Sequence, residues 1–185
     1  MASALVPLAQ GCEELEAVTV VDLLRRAGIE VTTAGLDDQP VHGSRGVVLV
    51  PDTTLDVALQ RSYDLVVLPG GLPGADHLRD DARIIRLLRE MAANGKYTAA
   101  ICAAPRVLAH AGLLDGKRAT SFPGALDNAS VPGLDYQEQP VVIDGRVITS
   151  RGPGTAMDFA LELIERLCGR QQRDAVEAGL QRPLM

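Results

Sequence analysis

Apolar positions along this chain keep two alternating rhythms. Short, nearly unbroken apolar runs, Ala4 to Ala9, Asp64 to Leu68 and Tyr97 to Ile101, are separated by stretches in which apolar residues return every three or four positions. The runs predict strands buried on both faces, and the spaced stretches predict helices. Glu14 to Ala27 is predicted helical, with Ala17, Val20, Val21 and Leu24 on one face and Gly28 as its stop. Ile29 to Ala34 is strand-like, Gly35 to Gly46 is a loop, and Val47 to Val50 is a further strand. A helix carrying Ile84, Leu87, Leu88 and Met91 on its core face starts from a cap at Asp80 or Asp81 and ends at Asn94-Gly95. After Ile101 another helix begins, with Pro105 in its first turn, where a missing N–H does no harm.

The second half is less regular. Lys117 to Phe122 reads as a short strand. Val141 to Ile143 and Arg146 to Thr149 read as a hairpin closed by Asp144-Gly145. Ser150-Arg151-Gly152-Pro153-Gly154-Thr155 opens a long helix with Met157, Ala160, Leu161, Ile164, Leu167 and Cys168 inward, and Asp174 to Leu180 forms a short terminal helix. Strands alternating with helices predict an α/β fold, a mostly parallel central sheet with helices on both faces. Ligands of such sheets bind beyond the carboxyl ends of the strands. Gly70-Gly71, Cys102-Ala103 and Gly152-Pro153-Gly154 follow strands and are expected to converge there, together with the start of the helix at Glu14.

Composition narrows the class. The 185 residues are 46% hydrophobic, only 3% aromatic and free of Trp, so the core is aliphatic. One domain spanning 1–185 is expected, with no composition break to mark a second. A net charge of −6 without a basic run argues against nucleic-acid binding. No apolar run is long enough for a membrane span, and Ala4 to Ala9 is too short for a signal peptide. Three cysteines, Cys12, Cys102 and Cys168, form no disulfide framework and no metal spacing. The expectation is a soluble, cytoplasmic protein that binds no metal.

Cys102 is the leading candidate for chemistry. A thiol at a strand-to-helix turn points into the ligand crevice and meets the positive end of a helix dipole, which favours thiolate. Gly70-Gly71 lets the backbone come close, so that Gly71 and Ala103 N–H groups are candidate oxyanion donors. Glu16, between Leu15 and Ala17, is placed to point inward. A buried carboxyl beside a thiolate stays protonated, because two like charges at one site push one pKa up. The stable arrangement is Glu16 donating a hydrogen bond to the Cys102 sulfur, the two titrating as a unit. Glu13 and Glu14 read as ordinary acidic partners of a helix start. Cys12 is a candidate second thiol near the pocket, and Cys168 a structural one. His42, His77 and His110 read as surface residues. Gly152-Pro153-Gly154-Thr155 lacks the ending of a phosphate loop and the spacing of a dinucleotide fingerprint.

Four motifs in unbroken order, Gly11-Cys12-Glu13-Glu14-Leu15-Glu16, Leu68-Pro69-Gly70-Gly71, Ala99-Ala100-Ile101-Cys102-Ala103-Ala104-Pro105 and Thr149-Ser150-Arg151-Gly152-Pro153-Gly154-Thr155, resemble the ThiJ/PfpI superfamily. Within it the chain resembles the DJ-one branch, that of the parkinsonism-associated protein and its bacterial homologues. The resemblance implies a flavodoxin-like sandwich, a homodimer, no cofactor, Cys102 as an easily oxidised nucleophile and Glu16 as its carboxyl partner. It places Arg45, Arg151, Gly70 and Pro153 at the pocket and Glu13 with Arg26 in a charged pair at the dimer interface. It implies a glyoxalase or protein deglycase, acting on methylglyoxal-type aldehydes or glycated protein, with stress-response and chaperone roles. One position departs from many members: Phe122 stands where they carry a histidine. Ala103 after the cysteine speaks against the peptidase branch, and the late His-x-Glu pair of related amidotransferases is absent.

The resulting expectation is a slow, cofactor-free aldehyde-handling enzyme built on Cys102 and Glu16. The alternative is a redox-sensing protective protein in which Cys102 oxidises to sulfinate without turnover.

Overall fold

The structure, a computed structural model, describes residues 1–127 and 129–182. In chain order its elements are β1 (Ser3–Leu8), α1 (Glu14–Arg26), β2 (Glu30–Gly35), β3 (Val41–His42), β4 (Val48–Leu49), β5 (Thr53–Thr54), α2 (Leu55–Ala58), β6 (Leu65–Leu68) and α3 (Gly74–Asp80). There follow α4 (Ala82–Ala93), β7 (Tyr97–Ile101), α5 (Pro105–His110), β8 (Arg118–Ala119), β9 (Asp135–Tyr136), β10 (Val141–Asp144), β11 (Val147–Ser150), α6 (Ala156–Cys168) and α7 (Arg170–Gly179).

Seven strands form the central sheet in the order β10-β11-β7-β6-β1-β2-β5. All neighbours are parallel except the β10–β11 hairpin at one edge. The alternation of side chains along each strand supplies both cores. Ala4, Val6 and Leu8 of β1, with Leu65 and Val67 of β6, face α1 and α6. Leu5, Val66 and Leu68 face the opposite layer of α2, α3, α4 and α5. Apolar residues at every strand position are therefore what a sheet covered on both sides requires. This is the flavodoxin-like α/β arrangement.

The order fixes where a site can form. β1 has β2 on one side and β6 on the other, so the chain reverses its direction of winding at the β1/β6 junction. Loops leaving the carboxyl ends of β1 and β6 diverge to opposite faces there and leave a crevice. The loops after β7 and β11 border the same edge.

Several expectations shift in detail. Val47 to Val50 contracts to β4, which pairs with β3 in a separate antiparallel hairpin. β3 (inside the expected 35–46 loop), β5, β9, α2 and α3 have no counterpart in the sequence reading, and β9 pairs in parallel with β8. The β10–β11 register pairs Asp144 with Val147, so the turn residues are Gly145 and Arg146, one position later than expected. Asp81, not Asp80, caps α4, accepting a hydrogen bond from the Arg83 N–H at 2.9 Å. In α6 the buried face is Ala156, Phe159, Ala160, Leu161, Leu163 and Ile164. Met157 and Cys168 are exposed, so Cys168 is not the core thiol its spacing suggested. A stripe one residue out of phase still satisfies a three-four spacing, which is why periodicity alone misplaced it.

Candidate active site

The β1/β6 crevice is built from three loops tied together by backbone. Between β1 and α1, Glu13 N–H donates to the Gly70 carbonyl at 2.8 Å, joining the start of α1 to the loop after β6. At the end of β7, Cys102 N–H donates to the Ser150 carbonyl at the end of β11, at 3.0 Å, and the Cys102 carbonyl accepts from Phe122 N–H at 2.8 Å. Cys102 is thus gripped from two sides as the chain turns into α5. The turn requires φ of 63° at Cys102, the left-handed region that a non-glycine residue adopts at a cost of about 1–2 kcal/mol. Held there, the sulfur leaves the sheet and stands over the crevice, partly buried.

Glu16 projects from the first turn and a half of α1 into the same crevice and is completely buried. Its Oε2 accepts from the Gly70 N–H at 2.8 Å. Its Oε1 is buried with no hydrogen-bond partner among the described residues, and the Cys102 thiol lies close enough to shift the pKa of the carboxyl. Gly70 makes this meeting possible. A Cβ there would lie 2.6 Å from the Cys102 Cβ and 2.9 Å from Glu16 Oε2, so any side chain would drive the two groups apart. Gly71, at φ of 84°, turns its N–H toward the sulfur, and the Ala103 N–H does the same from the start of the next helix.

The electrostatics are those of one shared proton. Burial pushes the Glu16 carboxyl up from an ordinary 4.5 to about 7, against the pull of the Gly70 N–H and the Cys102 thiol. Burial and the Glu16 charge push the Cys102 thiol up to about 12, against the Gly71 and Ala103 N–H groups. The expectation of a thiol acidified by its helix start therefore meets a larger opposing push. Two adjacent negative charges in this crevice are disfavoured, so the pair keeps at least one proton across neutral pH. When that proton rests on Glu16, the sulfur is a thiolate facing three donors.

The other expected residues lie on several elements. Phe122 follows β8, half exposed, with its ring over Gly152 at 3.5 Å from where a Cβ would stand. Pro153 begins a single 3₁₀ turn, Pro153–Thr155, braced by a 2.7 Å hydrogen bond between the Ser150 and Thr155 hydroxyls. Arg151 is fixed through its backbone to the Pro140 carbonyl, and Arg45 through its backbone to Glu14. Neither guanidinium forms an ion pair among the described residues. Glu13 and Arg26 do not meet within the chain: Glu13 accepts from Ser44 Oγ at 2.9 Å, and Arg26 pairs with Asp22 at 2.6 Å. Cys12 is fully buried, closed off from any substrate, and its thiol is pushed up to about 11 by burial and by Glu14 and Glu13. His42, His77 and His110 are exposed.

One residue does more than the sequence suggested. Glu14 is buried and accepts hydrogen bonds from the Arg45 and Val47 N–H groups and the Ser44 hydroxyl. It clamps the β3–β4 connection, and Gly43 is small where a Cβ would overlap its carboxylate. A helix-start glutamate looks the same in sequence whether it serves the dipole or a distant loop, so no local signal announced this role.

The raised Glu16 pKa has a signed consequence. The folded state holds the Glu16 proton more tightly than the unfolded chain does. The stability this gives is complete below pH 4.5 and is lost as pH rises through about 7. Against Glu16→Gln, which does not titrate, wild type should lose about 3 kcal/mol of relative stability between pH 4.5 and 7.5. Urea unfolding of both proteins across that range measures it, and a constant gap would contradict the assignment.

Comparison with known proteins agrees with this geometry. The sequence model of the DJ-1/PfpI family matches residues 2–166. Drosophila melanogaster protein dj-1beta is 46% identical over 180 residues, 96% of each chain, and its crystal structure superposes with a TM-score of 0.93 over 99% of each chain. Toxoplasma gondii DJ-1, solved oxidized, gives 0.92 at 39% identity over the whole of both chains. The Caenorhabditis elegans glutathione-independent glyoxalase DJR-1.2 is 37% identical over 90% of this chain and 89% of its own. This chain spans less than half of two Arabidopsis thaliana relatives, 45% of DJ-1 homolog A and 38% of homolog B. With the shared fold and that extent of identity, the chain belongs to the DJ-1/PfpI family.

Proposed function

We propose that the chain is a slow, cofactor-independent glyoxalase of the cytoplasm, a single DJ-1/PfpI-type domain consuming methylglyoxal-type aldehydes and their adducts on proteins during carbonyl stress. The observation that carries the reading is the convergence of the Gly71 N–H, the Ala103 N–H and the Glu16 carboxyl on one sulfur. With the shared proton on Glu16, the Cys102 thiolate attacks the aldehyde carbon and forms a C–S bond. The Gly71 and Ala103 N–H groups hold the oxygen that becomes negative. Glu16 delivers its proton to that oxygen as a hemithioacetal forms. As a carboxylate it then takes the proton from the former aldehyde carbon and returns it to the neighbouring carbonyl carbon, while the hydroxyl proton passes from the first oxygen to the second. One water hydrolyses the resulting thioester, so that methylglyoxal plus water balances to lactate and the thiol is restored. The worm relative named as a glyoxalase supports the same reading. Deglycation of amino or thiol adducts uses the same thiolate and the same proton carrier.

Phe122 supplies no proton acceptor at the crevice mouth, and a well-placed general base is worth about 10²–10⁴-fold. This favours low turnover. It also favours a second reading, in which peroxide oxidises the thiolate through sulfenate to sulfinate and Glu16 hydrogen-bonds the added oxygen. The relative from Toxoplasma gondii described as oxidized is in keeping with that reading. Protection or chaperone activity would then follow oxidation without turnover.

Lactate production from methylglyoxal, corrected for buffer-catalysed loss, separates the two. Cys102→Ala is expected to abolish it; equal rates in wild type and variant would sink the enzymatic mechanism. Absence of lactate in wild type, with a gain of two oxygens at Cys102 under mild peroxide, selects the sensor. Phe122→His, which restores an imidazole at the mouth, should raise kcat by about tenfold or more while leaving the melting temperature nearly unchanged.

We also propose a homodimer. Leu15 and Val18 on α1 and Val47, Val48 and Val50 at β4 form exposed apolar surface, with Val50 80% exposed. Glu13 and Arg26 sit at opposite ends of α1, about 20 Å apart at 1.5 Å per residue. Two copies of α1 packed antiparallel would set each Glu13 against the partner's Arg26, a self-complementary contact. Sedimentation at micromolar concentration should give twice the 19.6 kDa of the chain, and Val50→Glu should shift it to the monomer. A monomeric wild type would overturn the assembly.

A further inference from the structure

Away from the Cys102 crevice, the helical layer of α3, α4 and α5 holds a cluster of arginines that neither proposed reaction uses. A cavity of about 540 Å³ between α3, α5 and the segment after Phe122 is lined by Arg79, Arg106, His110 and Ala125. A second, of about 750 Å³, lies against α4, shares Arg79 and His110 as a wall, and adds Arg86 and Arg89. The two adjoin to make one groove.

The ion pairs of the groove leave cationic capacity unspent. Arg79 Nη1 and Arg106 Nη1 both donate to the same oxygen, Asp76 Oδ1, at 2.9 and 3.1 Å. One carboxylate therefore holds two guanidiniums together. Arg106 Nε is buried, and it makes no hydrogen bond among the described residues. Arg79 also engages Asp80, while Arg86 reaches Glu90 only at 3.9 Å. Arg89 donates to the Ala111 carbonyl, which offsets none of its charge. Four guanidiniums thus face three carboxylates, before His110 is considered, in a chain whose net charge is −6. Arg86 and Arg89 are exposed to solvent, but the buried Arg106 Nε has no partner among the described residues, and a buried donor without an acceptor is costly unless an anion completes it.

We infer that this groove binds a phosphate group. Its donors come from three helices, α3, α4 and α5, and line one groove. That arrangement suits a tetrahedral dianion with several acceptor oxygens better than a planar carboxylate, and guanidinium is the side chain best matched to phosphate. The volume accommodates the phosphate together with a small organic tail. The site is distinct from Arg45, which follows β3, and from Arg151, which follows β11.

The test is an amide chemical-shift titration of the intact chain with inorganic phosphate and, separately, phenyl phosphate, in chloride buffer at constant ionic strength. Saturable shifts are expected at Arg79, Arg106, His110 and Ala125, with Arg45 and Arg151 unmoved. Arg106→Gln should weaken the apparent affinity about tenfold or more, the usual loss when one charge-assisted hydrogen bond is removed. Arg89→Gln, on the rim, should weaken it less and guards against a fold defect in the first variant. Tighter binding of phenyl phosphate than of inorganic phosphate identifies a phosphoester ligand; equal binding identifies free phosphate. Shifts that do not saturate, that centre on Arg45 and Arg151, or that acetate reproduces at the same concentrations would overturn the site. So would affinity unchanged in both variants.

Discussion

The site depends on a single enforced proximity, a buried carboxyl held against a thiol where the sheet changes its direction of winding. Glu16 alone would be an expensive residue to bury, and Cys102 alone would be an ordinary hydrophobe. Placed together, each sets the other's protonation. The Gly70 N–H binds one partner and its missing side chain admits both, so a single glycine carries the geometry and part of the electrostatics. The fold pays for this arrangement with strain at Cys102, and the hydrogen bonds to Ser150 and Phe122 are what keep the strained turn closed.

The parallel sheet explains why these groups meet at all. β1, β6, β7 and β11 run in one direction, so the residues following each strand arrive at the same edge. A helix packed on one face can then reach over the junction with its first buried polar side chain, and Glu16 is that side chain. Glu14, two residues earlier, points the other way and anchors the β3–β4 connection. The start of α1 therefore does two jobs through two carboxylates, one uncharged half of the time near neutrality and the other held ionised. Backbone donors at Arg45 and Val47 lower the Glu14 pKa against its burial, whereas Glu16 has one backbone donor and a thiol, which do not suffice.

Much of this was legible in the sequence. Apolar runs at β1, β6 and β7 announced strands buried on both faces, because a period of two becomes invisible when both faces are dry. The strand–turn–helix around Cys102 and the glycine pair before α3 were likewise local signals, readable without a partner. The parts that escaped were set by tertiary contact. β4 and β9 are two residues long, too short for any periodicity, and exist only because a neighbouring strand offers hydrogen bonds. Cys168 followed the expected spacing yet lies past the edge of the core, since burial depends on where α1 and the sheet stop. The direction of the Cys102 pKa was misjudged for a similar reason. A helix start is visible in sequence, but the desolvation and the neighbouring charge that outweigh it come from residues far along the chain.

That last point bears on why one site supports two chemical readings. A thiol acidified by a dipole alone would be a thiolate at all times, open to every electrophile and oxidant. A thiol that shares a proton with a buried carboxyl is a thiolate only while the carboxyl is neutral, and in that state a proton donor already stands beside it. An electrophile whose oxygen needs a proton gains from the arrangement, because attack and proton delivery involve adjacent atoms. An oxidant gains as well, because an oxygen added to sulfur finds the same donor waiting. Under the proposed mechanism Glu16 alone moves the proton from carbon, because the half-exposed ring of Phe122 offers no second acceptor. That ring packs against Gly152 and holds no proton, so both readings rest on the single carboxyl of Glu16.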